Sequence, residues 1–338
     1  MKDQLIDGKT ILVTGGTGSW GHELVYQLLQ MKPGAKEIRI YSRGEHKQVE
    51  MKKLFPQSKL KFIIGDVRDK NILHFAMKDV DTVFHLSALK HVPVCEDNPW
   101  EAVLTNIYGT QNVIETAIEN NIGLVVDVST DKAVDAYNLY GVTKACGEKL
   151  IINANKYNSK TKFVCLRGGN VIGTNGSVIP LFKQQILKNN EVTITDPEMT
   201  RFLMSTKEAI RLIFEAIKKH KGGEVFVLNM PSATVQTIAD ALIELFGNKK
   251  TKIRIVGSRQ GEKKHEVLVS KNEVPLSENT DDGYFTINPA FRKTNINKPL
   301  NTLEFSSENT KQLNKTELIT LLKKEAWLFT DNNSAMPV

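Results

Sequence analysis

The stretch ILVTGGTGSWGHELVYQLL, residues 11–29, constrains the fold of this chain more than any other. A β-branched apolar run ends at Thr14 and an amphipathic helical pattern begins at Ser19, with Gly15, Gly18 and Gly21 spaced three apart. Glycines at this spacing let backbone approach a pyrophosphate, which then sits at the positive end of the helix. An ordinary tight turn would also use glycine. The strand before, the helix after and the position near the amino terminus together predict a dinucleotide-binding loop.

The same rhythm continues. The short apolar runs EIRIYS, KLKFIIGD, DTVFHLSA, GLVVDVS and KFVCLR alternate with helical patterns. Runs apolar on both faces imply strands covered by helices on both sides, so residues 1–170 read as an α/β, doubly wound parallel sheet of the Rossmann kind. After GSVIPLF the pattern loosens into a helix at STKEAIRLIFEAIKK, a strand at EVFVLN, a helix at TVQTIADALIELFG and a strand at KIRIVG. Residues 171–330 are expected to form a smaller substrate-binding portion that partly returns to the core, and residues 331–338 a flexible tail.

Composition excludes some partners. The excess of 45 Lys and Arg over 38 Asp and Glu gives a net charge of +7, but the basic residues are scattered and have no interleaved aromatics. That pattern speaks against nucleic acid and for a small anionic substrate. Cys95, Cys146 and Cys165 form no CxxC pair and lack histidines at metal-ligand spacing, so they read as reduced core residues, with no metal site. No apolar run approaches the roughly 20 residues that span a bilayer, and MKDQLIDGK lacks the hydrophobic stretch of a signal peptide. A cytoplasmic protein without a membrane partner is expected.

The second strand selects the dinucleotide. An NAD site usually ends this strand with an acidic residue for the ribose hydroxyls, whereas here Tyr41, Ser42 and Arg43 follow, with Lys47 one helical turn further. A 2′-phosphate suits such an end, so the expected cofactor is NADP. Asp66 and Val67 end the third strand, where a carboxylate can accept from an adenine amino group. Lys90 follows the fourth strand at the carboxyl edge of the sheet, where ligands collect.

The stretch STDKAVDAYNLYGVTK, residues 129–144, carries the chemistry. Tyr140 and Lys144 lie four apart on a predicted helix, so both project from one face. The ammonium lowers the phenol toward working pH and can hold a nicotinamide ribose, while Thr130 can hydrogen bond the same substrate oxygen. Alcohol oxidation needs only these three. Asp131 and Lys132, directly behind Thr130, point to a second reaction.

The chain resembles the extended short-chain dehydrogenase/reductases, and within them the UDP-N-acetylglucosamine 4,6-dehydratases of the 5-inverting type. The likeness rests on TGGTGSWG, YSRGEHKQ, GDVRD, ALKHVP, TNIYGTQNV, STDKAV, NLYGVTK, GSVIPLF, TDPEMTRF and RQGEK. STDKA and TDPEMTRF are the specific motifs, since relatives acting on dTDP-glucose usually carry Asp-Glu at 131–132. The chain departs from the pattern at Ser87, Gly168 and Asn175, which bears on substrate fit and rate rather than on reaction type.

The resemblance implies a cofactor site of Gly15, Thr17, Gly18, Ser19, Trp20, Gly21, Ser42, Arg43, Lys47, Asp66 and Val67. Leu86, Ser87, Ala88, Lys90, Tyr140 and Lys144 would complete it. It implies a substrate site of Lys90, Asn170, Val178, Thr195, Arg201, Arg259 and Glu262 around UDP-N-acetylglucosamine, and a homo-oligomer. Tyr140 would take the 4-hydroxyl proton during oxidation, Lys132 the carbon 5 proton, and Asp131 would protonate the departing 6-hydroxyl. Lys132 must then be neutral, which desolvation, Lys144 and the nicotinamide charge favour, and Asp131 must carry a proton, which its cationic neighbour disfavours. A nucleotide-sugar 4-epimerase would share the loop, Tyr140 and Lys144 but have no use for Asp131 and Lys132. A configuration-retaining dehydratase, or a non-catalytic NADP-sensing scaffold, are the other readings.

Overall fold

A computed structural model describes residues 6–157, 160–174, 177–258, 261–280 and 282–325. Its first six strands are β1 (Thr10–Thr14), β2 (Glu37–Ser42), β3 (Leu60–Ile64), β4 (Thr82–His85), β5 (Leu124–Thr130) and β6 (Lys162–Gly168). They lie in the order β3-β2-β1-β4-β5-β6, all parallel, and the sheet continues through Val225–Leu228, Tyr284–Ile287 and Ser277–Asn279. Val225–Leu228 is parallel to β6, and the last two strands run antiparallel. All five residues of β1 are buried, which is why that segment reads as a continuous apolar run rather than an alternation.

Seven helices cover the first part of the chain: α1 (Ser19–Gln30), α2 (Glu45–Leu54), α3 (Lys70–Ala76), α4 (Val92–Asp97), α5 (Pro99–Val103), α6 (Gly109–Glu119) and α7 (Leu139–Ala154). The chain leaves β1 toward β2 and β3, then returns to place β4 on the other side of β1. That reversal opens a crevice at the carboxyl ends of β1 and β4, where the glycine loop lies.

A second apolar cluster, including Phe182, Ile238, Leu242 and Leu318, is shared by the helices Val178–Asn189, Val235–Phe246 and Lys315–Lys323. The run EVFVLN supplies the strand beside β6. KIRIVG pairs instead with Glu191–Ile194 in a separate two-stranded sheet, where Lys252, Arg254 and Ile255 stay exposed. Ser277–Asn279 and Tyr284–Ile287 are strands that periodicity did not indicate, because three and four residues are too few to show a period.

Candidate active site

Gly15 has φ +67°, and a Cβ there would lie 2.8 Å from the Ser87 nitrogen. The loop therefore touches the segment after β4. Below it, the buried His85 imidazole contacts the Thr14 hydroxyl at 2.8 Å and that of Thr110 at 3.2 Å, and burial pushes it down to about 4, so it is neutral near pH 7. Asn106, in a π-helical turn at Leu104–Tyr108, binds both backbone groups of Leu89 at 2.9 Å and the Thr143 hydroxyl at 3.0 Å. It locks the loop after β4 to α7. A π turn beside a cleft is a frequent functional device.

The cleft that results has a volume of about 800 Å³. Its floor is the loop and first turn of α1: Gly15, Thr17, Gly18, Ser19, Trp20 and Gly21. At one end stand Ser42, Arg43, Lys47, Asp66 and Val67, and along the wall Leu86, Ser87, Ala88 and Lys90. Thr130, Asp131, Lys132, Tyr140, Lys144 and Asn170 close the other end. The departure at Gly168 makes room for Trp20, whose ring would be 3.2 Å from a Cβ there.

The end of β2 carries no acidic side chain. Buried Gln48 donates to the Ser42 hydroxyl and carbonyl at 3.0 Å, fixing the strand end, while Arg43 is 55% exposed and 3.8 Å from Asp66. Crowding in the cleft and then the charge of Lys47 push the Lys90 ammonium down. The Asp66 carboxylate is engaged by Arg68 at 2.6 and 2.9 Å, and by the Arg68 backbone at 3.0 Å. Asp66 thus lines the cleft with a carboxylate that also accepts from Arg68, which in turn grips Glu101.

Thr130 ends β5 and caps the short helical turn Asp131–Ala133. α7 begins behind Asn138, whose Oδ1 accepts the Gly141 N–H at 2.8 Å and whose Nδ2 donates to the Gly261 carbonyl at 2.8 Å. A Cβ on Gly141 would lie 2.2 Å from the Lys132 carbonyl oxygen, so only glycine lets α7 approach this closely. Buried Lys144 is held by Asp127 at 3.6 Å. Burial raises the Tyr140 phenol, Lys144, the Thr130 hydroxyl and Lys132 pull it back, and the net direction is upward. The positive charge of a bound nicotinamide would add to the downward pull.

Buried Asp131, 1% exposed, pairs with half-buried Lys132, Nζ to Oδ1 3.1 Å. Lys132 also lies 3.2 Å from Glu266, which is 3% exposed. These contacts favour the protonated form expected of Asp131 and oppose the neutral form expected of Lys132. Burial, reinforced by the charge of Glu266, raises the Asp131 carboxyl despite its cationic neighbour. Burial alone would lower Lys132, but two carboxylates outweigh it and hold the ammonium charged.

Of the residues expected to bind substrate, Lys90 and Asn170 line the cleft. Val178 opens the helix Val178–Asn189, Thr195 follows the strand Glu191–Ile194, and Glu262 lies in the loop joined to Asn138. These three and Arg201 are not among the described residues that line it. The Arg201 guanidinium donates to the carbonyls of Thr200 and Lys264, and its charge bears on Lys132 and Glu266. Arg259 and Asn175, like the tail 331–338, lie outside the described residues. Sequence reasoning missed Asp127, Asn106, Gly141 and Glu266. An aspartate inside the valine run of β5 was a signal for the first, but Glu266 reads locally as an ordinary charge before a strand.

Residues 11–288 match the family described as polysaccharide biosynthesis protein. Over 326 residues the chain is 44% identical to a UDP-glucose 4-epimerase of Rickettsia bellii, covering 93% of this chain and 95% of that one. Over 328 residues it is 43% identical to an uncharacterized membrane protein of Methanocaldococcus jannaschii, covering 95% and 97%. No helix among the described residues is long and apolar enough to cross a membrane. The solved structure of Pen from Bacillus thuringiensis matches with a TM-score of 0.90 at 37% identity, over 96% of this chain and 99% of that one. The chain therefore belongs to the polysaccharide biosynthesis protein family, among the extended short-chain dehydrogenase/reductase enzymes that comprise nucleotide-sugar dehydratases and epimerases.

Proposed function

We propose that the protein is an NADP-dependent UDP-N-acetylglucosamine 4,6-dehydratase. The observation that carries this reading is the Asp131–Lys132 pair in the cleft wall beside Thr130 and Tyr140. Oxidation followed by re-reduction at one carbon uses only Thr130, Tyr140 and Lys144, which leaves an acid and a base in the cleft wall for a second step. Arg43 and Lys47, with no carboxylate at the end of β2, support NADP. A bound nicotinamide supplies a hydride acceptor at carbon 4 and the donor to carbon 6 later in the cycle.

The protein's own groups move the protons. Tyr140 takes the 4-hydroxyl proton, Thr130 holds the same oxygen and Lys144 stabilises the phenolate. The ketone acidifies carbon 5, whose proton passes to Lys132, while Asp131 protonates the 6-oxygen and water leaves; once hydride has returned to carbon 6, a proton is restored at carbon 5. Asn170, Lys90, Val178, Thr195, Arg201, Arg259 and Glu262 are the proposed grip on the UDP-sugar. Resemblance to the 5-inverting enzymes supports the L-arabino product, to be read by NMR of the first-formed sugar. Exposed Trp100 and Tyr108 rings, 6.3 Å apart, support a homo-oligomer; a monomer in light scattering would remove that part.

The 4-epimerase reading is favoured by the similarity to the UDP-glucose 4-epimerase of Rickettsia bellii. One experiment separates the two: nucleotide-stripped protein is incubated with UDP-N-acetylglucosamine or UDP-glucose, with NADP⁺ or NAD⁺. Loss of one water in the mass spectrum, faster with NADP⁺, is expected. An isomer of unchanged mass would establish the epimerase and sink the dehydratase.

A further inference from the structure

Trp20 stands in the first turn of α1, and its indole lines the cleft. The far edge of the ring reaches β6: a Cβ at Gly168 would lie 3.2 Å from both Cζ2 and Cη2, and 3.6 Å from the Met204 sulfur. Any larger side chain at 168 would meet that edge, so this departure from the family pattern is what lets the indole lie here. The contact falls at the reactive end of the cleft. Gly168 ends β6, Thr130 ends β5, and the two are partners in the parallel register.

The strand order sets how a dinucleotide lies across this wall. The loop after β1 takes the pyrophosphate, and its backbone fits that group: Gly15 has φ +67° with no room for a Cβ beside Ser87, and a Cβ on Gly21 would lie 2.2 Å from the Gly16 carbonyl oxygen. To one side of β1 lie β2 and β3, where Ser42, Arg43, Lys47 and Asp66 line the cleft for the adenosine half. To the other lie β4, β5 and β6, with Thr130, Tyr140 and Lys144. The nicotinamide half therefore runs from the loop toward Thr130, and Trp20, which reaches from α1 to the end of β6, lies along that path. A ring that exchanges hydride on one face needs a wall behind the other.

We propose that the Trp20 indole, admitted by Gly168, is the wall against which the nicotinamide stacks, and that it holds the oxidised cofactor more tightly than the reduced one. Tryptophan offers a cation the most attractive face of any side chain, and the oxidised nicotinamide is a cation whereas the reduced ring is neutral. Offset stacking adds to the hold on both forms. A site that prefers the oxidised form favours return of the hydride, as a cycle that ends with the cofactor in its starting state requires. The inference rests on the reading of the cleft as a nicotinamide site, and it holds whether the hydride returns to carbon 6 or to carbon 4.

The test titrates nucleotide-stripped protein and its Trp20→Leu variant, by calorimetry, with NADP⁺, NADPH and 2′-phospho-ADP-ribose, which has every part of the cofactor except the nicotinamide. Trp20→Leu should weaken NADP⁺ about 10-fold, NADPH about 3-fold and phospho-ADP-ribose by less than about 2-fold. Retained binding of phospho-ADP-ribose shows that the variant is folded. In a second readout, NADP⁺ should quench the tryptophan fluorescence of the unmutated protein, and Trp20→Phe should lose most of that quench while keeping most of the affinity. Equal losses for all three ligands, equal losses for NADP⁺ and NADPH, no loss for NADP⁺, or a quench that survives in Trp20→Phe overturns the proposal. The same series is run with NAD⁺, NADH and ADP-ribose. Tighter binding there with the same pattern of losses supports Trp20 as the wall and overturns only the choice of NADP.

Discussion

Tyr140 and Lys132 are both ionisable residues in the cleft wall, but they are assigned to different bonds of the substrate. Tyr140 serves the 4-hydroxyl and Lys132 the hydrogen on carbon 5, so mutation should separate the two half-reactions. Tyr140→Phe removes the group that accepts the hydroxyl proton, and formation of reduced nicotinamide should fall about 100-fold or more. Lys132→Ala should leave that first step within a few-fold while dehydration falls by a similar factor. Rapid single-turnover absorbance gives the first quantity and product mass the second. A Lys132→Ala enzyme that dehydrates at nearly the normal rate would remove Lys132 from the mechanism.

Among the elements, α7 and the Asp131–Ala133 turn must approach within a distance that any side chain would prevent. The 2.2 Å separation between a Cβ at Gly141 and the Lys132 carbonyl oxygen means that Gly141→Ala must push the two apart. Overpacking of this kind costs about 1–3 kcal/mol, and a shift near 1 Å between Tyr140 and Thr130 can cost about 100-fold in rate. The variant is expected to fold with a lowered melting temperature and a turnover number reduced far more than its affinity for nucleotide. Normal turnover by Gly141→Ala would show that the close approach is unnecessary. Asn106 makes the complementary connection from the π turn, so α7 is fixed to the loop after β4 as well.

Across the whole molecule, buried Arg167 on β6 joins Glu148 on α7 at 2.5 and 2.9 Å and Glu273, which precedes the edge strand Ser277–Asn279, at 2.6 and 2.8 Å. Burial would raise the Glu273 carboxyl, but the hydrogen bonds and charge of Arg167 outweigh it and hold it at about 2, against an ordinary value of 4.5. A depressed carboxyl contributes stability that is complete above the unfolded value and lost as pH falls through the folded one. The window is about pH 4.5 down to 2, and the contribution is on the order of 3 kcal/mol. Urea midpoints of the unmutated protein should fall as pH drops from about 5 to 3, and Glu273→Gln should be less stable at neutral pH with a flatter acid limb. An equally steep acid limb in Glu273→Gln would place the linkage elsewhere.

The sequence by itself determined the parallel sheet and the position of its phosphate loop, because a β-branched run, three glycines and a helical period are local signals. It also determined that Tyr140 and Lys144 share a face, since residues four apart on a helix must. Short strands such as Ser277–Asn279 and the exposed pairing of KIRIVG were not legible, because their places depend on which partner is within reach rather than on their own period. The titration of Asp131 and Lys132 was decided only by the tertiary structure: burial raises the Asp131 carboxyl against the pull of its neighbour, and two carboxylates keep Lys132 charged where a neutral amine was expected. The reason is physical: a buried group titrates according to its desolvation and to the charges that the rest of the chain brings within a few ångströms, and here these include Glu266, delivered by a loop that nothing near Lys132 in the sequence encodes.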